Sequence, residues 1–389
     1  MMMGVSDVYL IPYAIALGAS PSQVALITAV PPLVGAILQM QSAAMTQKIG
    51  SRLRLILWMV FFHAFAWMPI ILIPWLCKDR FAAAPWALLA AVMVFASFGA
   101  FSVPAWQSLM SDYIPVKKRG KYFGWRNRFQ GFLTVFVSMS AGFVLQFFGK
   151  DSLVGFTTIF IFAMLCRFYA WACLTRMIEP PRHATHDTYF SFIQFLRQIR
   201  TSNFTRFVLF VSLMSAAANL SGPLLPVFVL KDLGFNYASY MTLMTAAQLA
   251  GFLFMGVFGK YGDYFGNIRV IRVAGWGIAI MPCFWMFSQH LAYVVVVQFV
   301  AGAMWGGFNL LVLNFMMEAV SPEKRIRCIS YFNVMNGTAV LIGAFVGSQL
   351  FHHLPPVFGY SYLTLFLLSS LLRMAVMTFV APLVKEVRK

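Results

Sequence analysis

A chain of 389 residues that is 61% hydrophobic and only 10% charged cannot cover its apolar surface with water-facing groups, which excludes a soluble globular domain. A formal charge of +18 would suggest nucleic acid in a soluble protein, but here the basic residues sit in loops between long apolar runs. The chain therefore reads as a polytopic membrane protein whose surroundings are a lipid bilayer, with no nucleic-acid partner.

Apolar runs of roughly 17–25 residues, the length that takes a helix across a hydrocarbon core, follow one another along the chain. They predict spans near residues 2–18, 22–45, 55–75, 85–110, 129–148 and 154–175, then 204–230, 237–259, 270–288, 292–317, 329–352 and 361–384. Between the two sets lies the one long polar interval, Arg176 to Asn203. Within it Glu179-Pro180-Pro181 stops the preceding helix, since proline lacks an N–H and restricts the residue before it. Tyr189, Phe190, Phe192, Ile193, Phe195, Leu196 and Ile199 then recur at helical spacing beside Arg197, Arg200 and Arg206. This pattern predicts an amphipathic helix on the membrane surface, with a solvated linker holding one amphipathic turn as the plainer alternative. The expected fold is an all-α membrane protein of twelve transmembrane helices in two six-helix bundles, 1–175 and 204–389, joined by the linker 176–203.

Charge placement orients it. Of 29 Lys and Arg, about 23 lie on the side that carries the linker, whereas the opposite side has only Lys78, Arg80, Lys150 and Lys231. Positive loops face the cytoplasm, so both termini and the linker are expected there, in a cell (inner or plasma) membrane. The first apolar run has no basic n-region or clear cleavage site, so no cleavable signal peptide is expected. Four of the five cysteines, Cys166, Cys173, Cys283 and Cys328, lie in or beside apolar runs, and Cys77 sits in an outer loop. Their spacing suits neither a disulfide framework nor a metal, and no cofactor is expected. HExxH, GxSxG and GxxxxGK[ST] are all missing, which argues against a membrane enzyme and against a nucleotide-driven pump.

The halves repeat each other. At an offset of 216, Leu17-Gly18 falls on Leu233-Gly234, Leu33 on Leu249, Gly35 on Gly251 and Gly50 on Gly266. At an offset of 206, Asp112 falls on Glu318, Arg119 on Arg325, Asn127 on Asn333, Gly131 on Gly337 and Arg167 on Arg373. Matches on Gly, Arg and Asn at two consistent offsets argue for duplication. The loops carry a further signal. Gly259-Lys-Tyr-Gly-Asp263-Tyr-Phe-Gly266-Asn-Ile-Arg269 follows the eighth span, and Gln47-Lys48-Ile49-Gly50-Ser51-Arg52 is its degraded copy after the second. Ser111-Asp112-Tyr-Ile-Pro115-Val-Lys-Lys-Arg119-Gly120 has its partner in Glu318-Ala-Val-Ser-Pro322-Glu-Lys-Arg325.

On these residues the chain resembles the major facilitator superfamily over essentially its whole length. The resemblance implies secondary transport of a small organic solute by alternating access in a monomeric permease, expected to be proton-coupled. A facilitated uniporter or a non-transporting sensor of the same fold stands as the alternative. It implies that spans one, four, seven and ten line a cavity near the midplane. It also implies a cytoplasmic gate from Gly259, Asp263, Gly266 and Arg269 with Asp112, Arg119, Glu318 and Arg325. Asp263 ends the eighth span and is expected to pair with Arg269, Arg325 or Arg327. The neutral Gln47 makes the equivalent latch of the first half weaker, with Asp112 and Arg119 available to compensate. The family's antiporter signature, a Gly-Pro pair in span five, is missing from Phe129 to Phe148, which weakens a drug/proton antiport reading without settling direction.

The candidate contacts are polar groups inside spans. Asp7 is the one acid deep in an apolar run, either a proton-coupling or cation-contacting group or an acid hydrogen-bonded to neighbouring helices. Span four offers Trp106 and Gln107, span seven Asn219 and Ser221 beside Gly222-Pro223, and span ten Trp305, Asn309 and Asn314. Trp305 and Asn309 share one helical face. Amides and indoles suit an uncharged or zwitterionic solute, while hydrogen bonding between helices explains any one of them as well. Arg167 and Arg373 lie two or three turns from the cytoplasmic end, where snorkelling accounts for them, and His63 reads as a packed polar residue. Gly302, Gly306, Gly343 and Gly347 stand four apart and predict close helix packing. The 216 offset would start the first span about twelve residues before Met1, so that helix is expected to be short, either truly or because the start is misassigned among Met1, Met2 and Met3.

Overall fold

The computed structural model describes residues 2–77, 81–113, 116–149, 153–180, 192–197, 202–320, 322–351 and 353–387. In the first half the helices are α1 Met2–Ala16, α2 Pro21–Gln39, α3 Ser42–Ile49, α4 Arg52–Phe65, α5 Trp67–Leu76, α6 Ala84–Tyr113, α7 Val116–Phe148 and α8 Leu153–Leu174. The linker contributes α9 Phe192–Arg197. The second half has α10 Asn203–Asn219, α11 Leu225–Val227, α12 Tyr237–Phe265, α13 Asn267–Phe284, α14 Leu291–Ala319, α15 Pro322–Phe351 and α16 Ser361–Ala375. Every predicted span falls on helix. Ten stretches of the described residues are long and apolar enough to cross a membrane, from Pro21–Gln39 to Ser361–Leu383. The 15-residue α1 and the arginine-bearing α13 lie outside that set.

Packing separates two compact units, Met1–Ala184 with Asn236–Ala238, and Thr185–Phe235 with Ser239–Lys389. The core of the first unit is aromatic: Tyr9, Tyr13, Trp67, Phe156 and Phe160 are fully buried, with Tyr13 edge-on to Phe160 at 5.0 Å. In the second, Phe207 of α10 meets Phe315 of α14 at 4.1 Å inside a cluster that also holds Phe210 and Phe308.

Helix starts follow local chemistry. Ser20 and Gln23 form a reciprocal capping box ahead of α2, with Pro21 at its first position. The duplication recurs in the backbone. Gly18 and Gly234 have φ of 79° and 64°, and Gly50 and Gly266 have φ of 73° and 94°, each pair 216 residues apart. Gly50 closes α3 and Gly266 precedes α13, conformations that a side chain would strain.

Proline breaks helices on the way. Pro74 lies four residues after Ile70 and offers its carbonyl no N–H; the Tyr13 hydroxyl donates to that oxygen instead, at 3.0 Å.

The linker departs from expectation. The apolar residues predicted to face lipid include Phe195, which is 2% exposed and packs against Phe204 at 6.0 Å and Tyr331 at 5.5 Å. Phe195 of the described turn thus docks on protein, while Ile193 stays exposed. The remaining predicted positions at 181–191 and 198–201 lie outside the described residues.

The glycine spacing does what it predicts. A Cβ on Gly343 or Gly347 of α15 would collide with the carbonyl oxygens of Ala216 or Leu220. One on Gly306 of α14 would sit 2.6 Å from Gly251 Cα in α12, and one on Gly302 would strike Ala247 O. Gly347→Ala is therefore expected to destabilise the second unit by about 1–3 kcal/mol, seen as a lowered thermal midpoint. Gly256→Ala, where a Cβ meets nothing within 4 Å, should leave the midpoint in place.

Candidate functional site

Two proline breaks shape the middle of the second unit. Ser221-Gly222-Pro223 ends α10 at Asn219 and inserts a 3-10 turn, Gly222–Leu224, before α11. Pro282 sits four residues after Ile278 in α13 and leaves that carbonyl without a helical donor. Three neighbouring side chains of α16 answer both breaks. Arg373 donates from Nη1 to Ile278 O at 3.0 Å and from Nη2 to Ala218 O at 3.3 Å. Ser369 Oγ donates to Ala217 O at 2.6 Å, and Ser370 Oγ donates to Ala279 O while accepting from Cys283 Sγ at 3.1 Å.

Arg373 is accordingly not a snorkelling residue. It is 6% exposed and turned into the bundle, because the carbonyls orphaned by Pro282 and by the end of α10 lie closer than any water. Its counterpart Arg167 is half-buried, with a buried Nε that has no hydrogen-bond partner. His63 is buried and stacks on Phe95 at 4.1 Å, as a packed residue should.

Beside this tie lies a cavity of about 530 Å³ lined by residues of α10, α12, α13, α14 and α16. Asn219, Ser221 and Trp305, all singled out from the sequence, share its wall with Gln248, Trp285, Gln298 and Arg373. Asn219, Gln248, Trp305 and Arg373 each stand near the middle of their spans. The wall is built from spans seven, eight, nine, ten and twelve, all of the second unit. Asn309 is exposed and Asn314 half-buried, and neither belongs to this wall. In the first unit Trp106 packs against the cluster of Leu55, Ile56, Ala105 and Leu109, and Gln107 is exposed. The side chains of Asp7, Asp112, Arg119 and Arg325 lie outside the described residues. Gln248, Gln298, Trp285 and Arg373 were not among the predicted contacts; the signal for Gln248, Gln298 and Arg373 was an amide or charge inside an otherwise apolar run, and Trp285 carried none.

At the other end of each unit a carboxylate clasps a helix start. In the second unit Glu386 accepts from the Ile268 N–H at 2.7 Å, at the first turn of α13, and it fills the space a Cβ on Gly266 would need. Asn267 Nδ2 donates to Glu318 Oε2 at 2.8 Å, so Glu318 meets the start of α13 through an asparagine. Arg272 donates to the carbonyls of Ala381 and Val384 at 3.2 and 2.9 Å. Gly259 packs against Leu310, while Asp263 and Arg269 are exposed at the junction of α12 and α13.

The first unit repeats the clasp with more charge. Glu179 accepts from Ser51 Oγ, the Arg52 N–H, Arg52 Nε and the Leu53 N–H, at 2.5, 2.9, 3.1 and 3.3 Å. Glu179 and Glu386 stand at equivalent ends of the two repeats. The expected tie of Asp112 with Arg119 lies outside the described side chains, and the described residues tie this end through Ser51, Arg52 and Glu179 instead. Partial burial alone would raise the Glu179 carboxyl, but the hydrogen bonds from Ser51, Arg52 and Leu53 outweigh it and hold the group below its ordinary range.

Two repeated helical units, mid-span proline breaks and a mostly apolar cavity carrying a few polar groups fit a multi-span solute transporter rather than an enzyme. The chain belongs to the Major Facilitator Superfamily, whose sequence profile matches residues 1–220 and 207–389. A curated relative, the efflux pump azaK of Aspergillus niger, is 25% identical over 130 residues, which make up 32% of this chain and span only 27% of that protein's length. Among solved structures, the D-xylose-proton symporter matches at a TM-score of 0.73 and 13% identity over 100% of this chain and 96% of its own. The nucleoside transporter NupG matches at 0.70 and 11%, over 99% and 96%. A bacterial homologue of the iron transporter ferroportin, in its inward-facing state, matches at 0.65 and 16%, over 97% and 95%. At such identities the likeness is one of fold.

A depressed carboxylate contributes stability that is present above its unfolded pKa and lost as pH falls through the lower folded value. The first unit should therefore lose stability as pH drops below about 4. Thermal unfolding followed from pH 6 to pH 3 should show that slope in the native chain, and Glu179→Gln should flatten it while lowering stability at neutral pH.

Proposed function

We propose that this transporter carries a small organic solute by alternating access, coupled to protons, with the linker and both termini in the cytoplasm. The observation that carries the reading is the mid-span cavity of about 530 Å³, where Asn219, Ser221 and Trp305 converge. Its volume suits a small organic molecule, and its wall is mostly apolar with a few amides, indoles and one guanidinium. The loosened backbone at Ser221-Gly222-Pro223 supplies the discontinuous helix that such sites use. Trp106, Gln107, Asn309 and Asn314 are the further contacts assigned to the two halves. Two solved structures of the same fold are a nucleoside transporter and a D-xylose-proton symporter, and a solute of that size is in keeping with the cavity.

Asp7, within α1, is the coupling group in this scheme. Its carboxyl takes up a proton on one side of the membrane and releases it on the other as the solute moves. The gate is the segment Gly259 to Arg269 together with Glu318 and the equivalent Asp112, Arg119 and Arg325. It holds the cytoplasmic side shut while the site faces outward.

Two variants test the scheme in reconstituted vesicles. Asp7→Asn should abolish the dependence of solute flux on a pH gradient while leaving exchange at equal pH, and flux that still follows the gradient would remove Asp7 from coupling. Asp263→Ala should raise labelling of a cysteine introduced into the cavity wall by Ser221→Cys, with a membrane-impermeant thiol reagent applied from the cytoplasmic face. Labelling at the native level would take Asp263 out of the gate.

A further inference from the structure

We infer that the cavity of the second unit is a subsite for a solute bearing a single carboxylate on an apolar or aromatic body, with Arg373 as the counter-charge. The inference rests on the reading of the chain as a transporter of small organic solutes, and it deepens that reading by naming the substrate class.

A guanidinium carries five N–H donors and a charge it keeps at any pH. Arg373 is 6% exposed, lines the cavity, and spends two donors on the Ile278 and Ala218 carbonyls. Its Nε is buried with no partner, and among the described residues no carboxylate pairs with it. Satisfying a freed carbonyl does not require charge, because Ser369 on the same helix does so with a hydroxyl. The charge is therefore surplus to the structural task. A cation at mid-span is expensive in a membrane protein unless something anionic meets it.

Gln248 lines the same cavity, and its Oε1 is also buried without a partner. A carboxylate takes the N–H donors that Arg373 Nη1 and Nη2 do not spend on the two carbonyls, together with the amide NH2 of Gln248. The rest of the wall, with Trp285, Trp305 and Phe252, suits an apolar or aromatic body. One guanidinium matches one carboxylate. A phosphate would call for more cationic donors than this wall holds.

The test uses the purified full chain in detergent and calorimetric titration with phenylpropionate and hexanoate, each against its primary amide. The acids should bind roughly tenfold or more tightly than the amides, the margin a charge-assisted hydrogen bond supplies. Arg373→Gln should erase the preference. Because that variant also removes two backbone ties, Gln248→Leu is measured beside it and should weaken acid binding several-fold at an unchanged thermal midpoint. Equal affinity for acid and amide, or no saturable binding of either acid in the millimolar range, would overturn the inference. Uptake into proteoliposomes separates it from the transport reading. Acid preference without flux would sink transport and leave the subsite standing, whereas flux of a neutral solute without acid preference would do the reverse.

Discussion

Inside a bilayer, a backbone carbonyl that loses its helical partner has no water to turn to, and the arrangement of both units follows from how such carbonyls are satisfied. Pro74 frees Ile70 and draws the Tyr13 hydroxyl to it, joining α1 to α5. Pro282 frees Ile278, the end of α10 frees Ala217 and Ala218, and α16 answers with Arg373 and Ser369. Each break would be costly alone. Together with its donor it becomes a crosslink between helices, more directional than apolar packing in a medium where packing against a neighbour is little better than packing against lipid. The cavity sits where these breaks gather, since a helix that has left its regular path also leaves space beside it.

The spans were legible in the sequence because length and hydropathy are properties of a run, and the duplication was legible because glycine, arginine and asparagine stand out against leucine. Gly50 and Gly266, matched by position, share a positive φ. Arg373 was read otherwise than it folds. Sequence position reports how far a cation is from the end of its span, whereas its fate was decided by which carbonyls on other helices were orphaned. A proline four residues beyond Ile278 was the available clue, and only the tertiary contacts connect it to α16. Trp305 and Asn309 illustrate the same limit: they share a helical face, yet one reaches the cavity wall and the other does not. Gln248 and Gln298 carried no pattern beyond being amides in apolar surroundings.

Duplication has preserved the clasp at the helix starts while changing its chemistry. Glu179 gathers a hydroxyl, two backbone N–H groups and a guanidinium, including the ion pair to the buried Arg52 at 3.1 Å. Glu386 takes the backbone N–H of Ile268, and a separate bond from Asn267 to Glu318 lies alongside. The conserved part is geometric: a carboxylate at the end of the last helix meets the positive end of the third. What differs is charge. The degraded loop motif of the first half therefore coincides with a clasp that includes an ion pair, and the well-formed motif of the second half with one in which Glu386 meets a backbone N–H.

The glycine seams have a different kind of consequence. Where α15 lies on α10 and α14 lies on α12, backbone meets backbone at Gly343, Gly347, Gly302 and Gly306 with no side chain between. Such a contact immobilises no rotamers, so its cohesion carries little of the entropy cost that a leucine zipper of the same length would bear. It also has no smaller neighbour in sequence space, since every substitution adds atoms where none fit. Drift can repaint the lipid-facing surface of these helices freely, while the seams admit only glycine and will outlast changes in whatever the cavity carries.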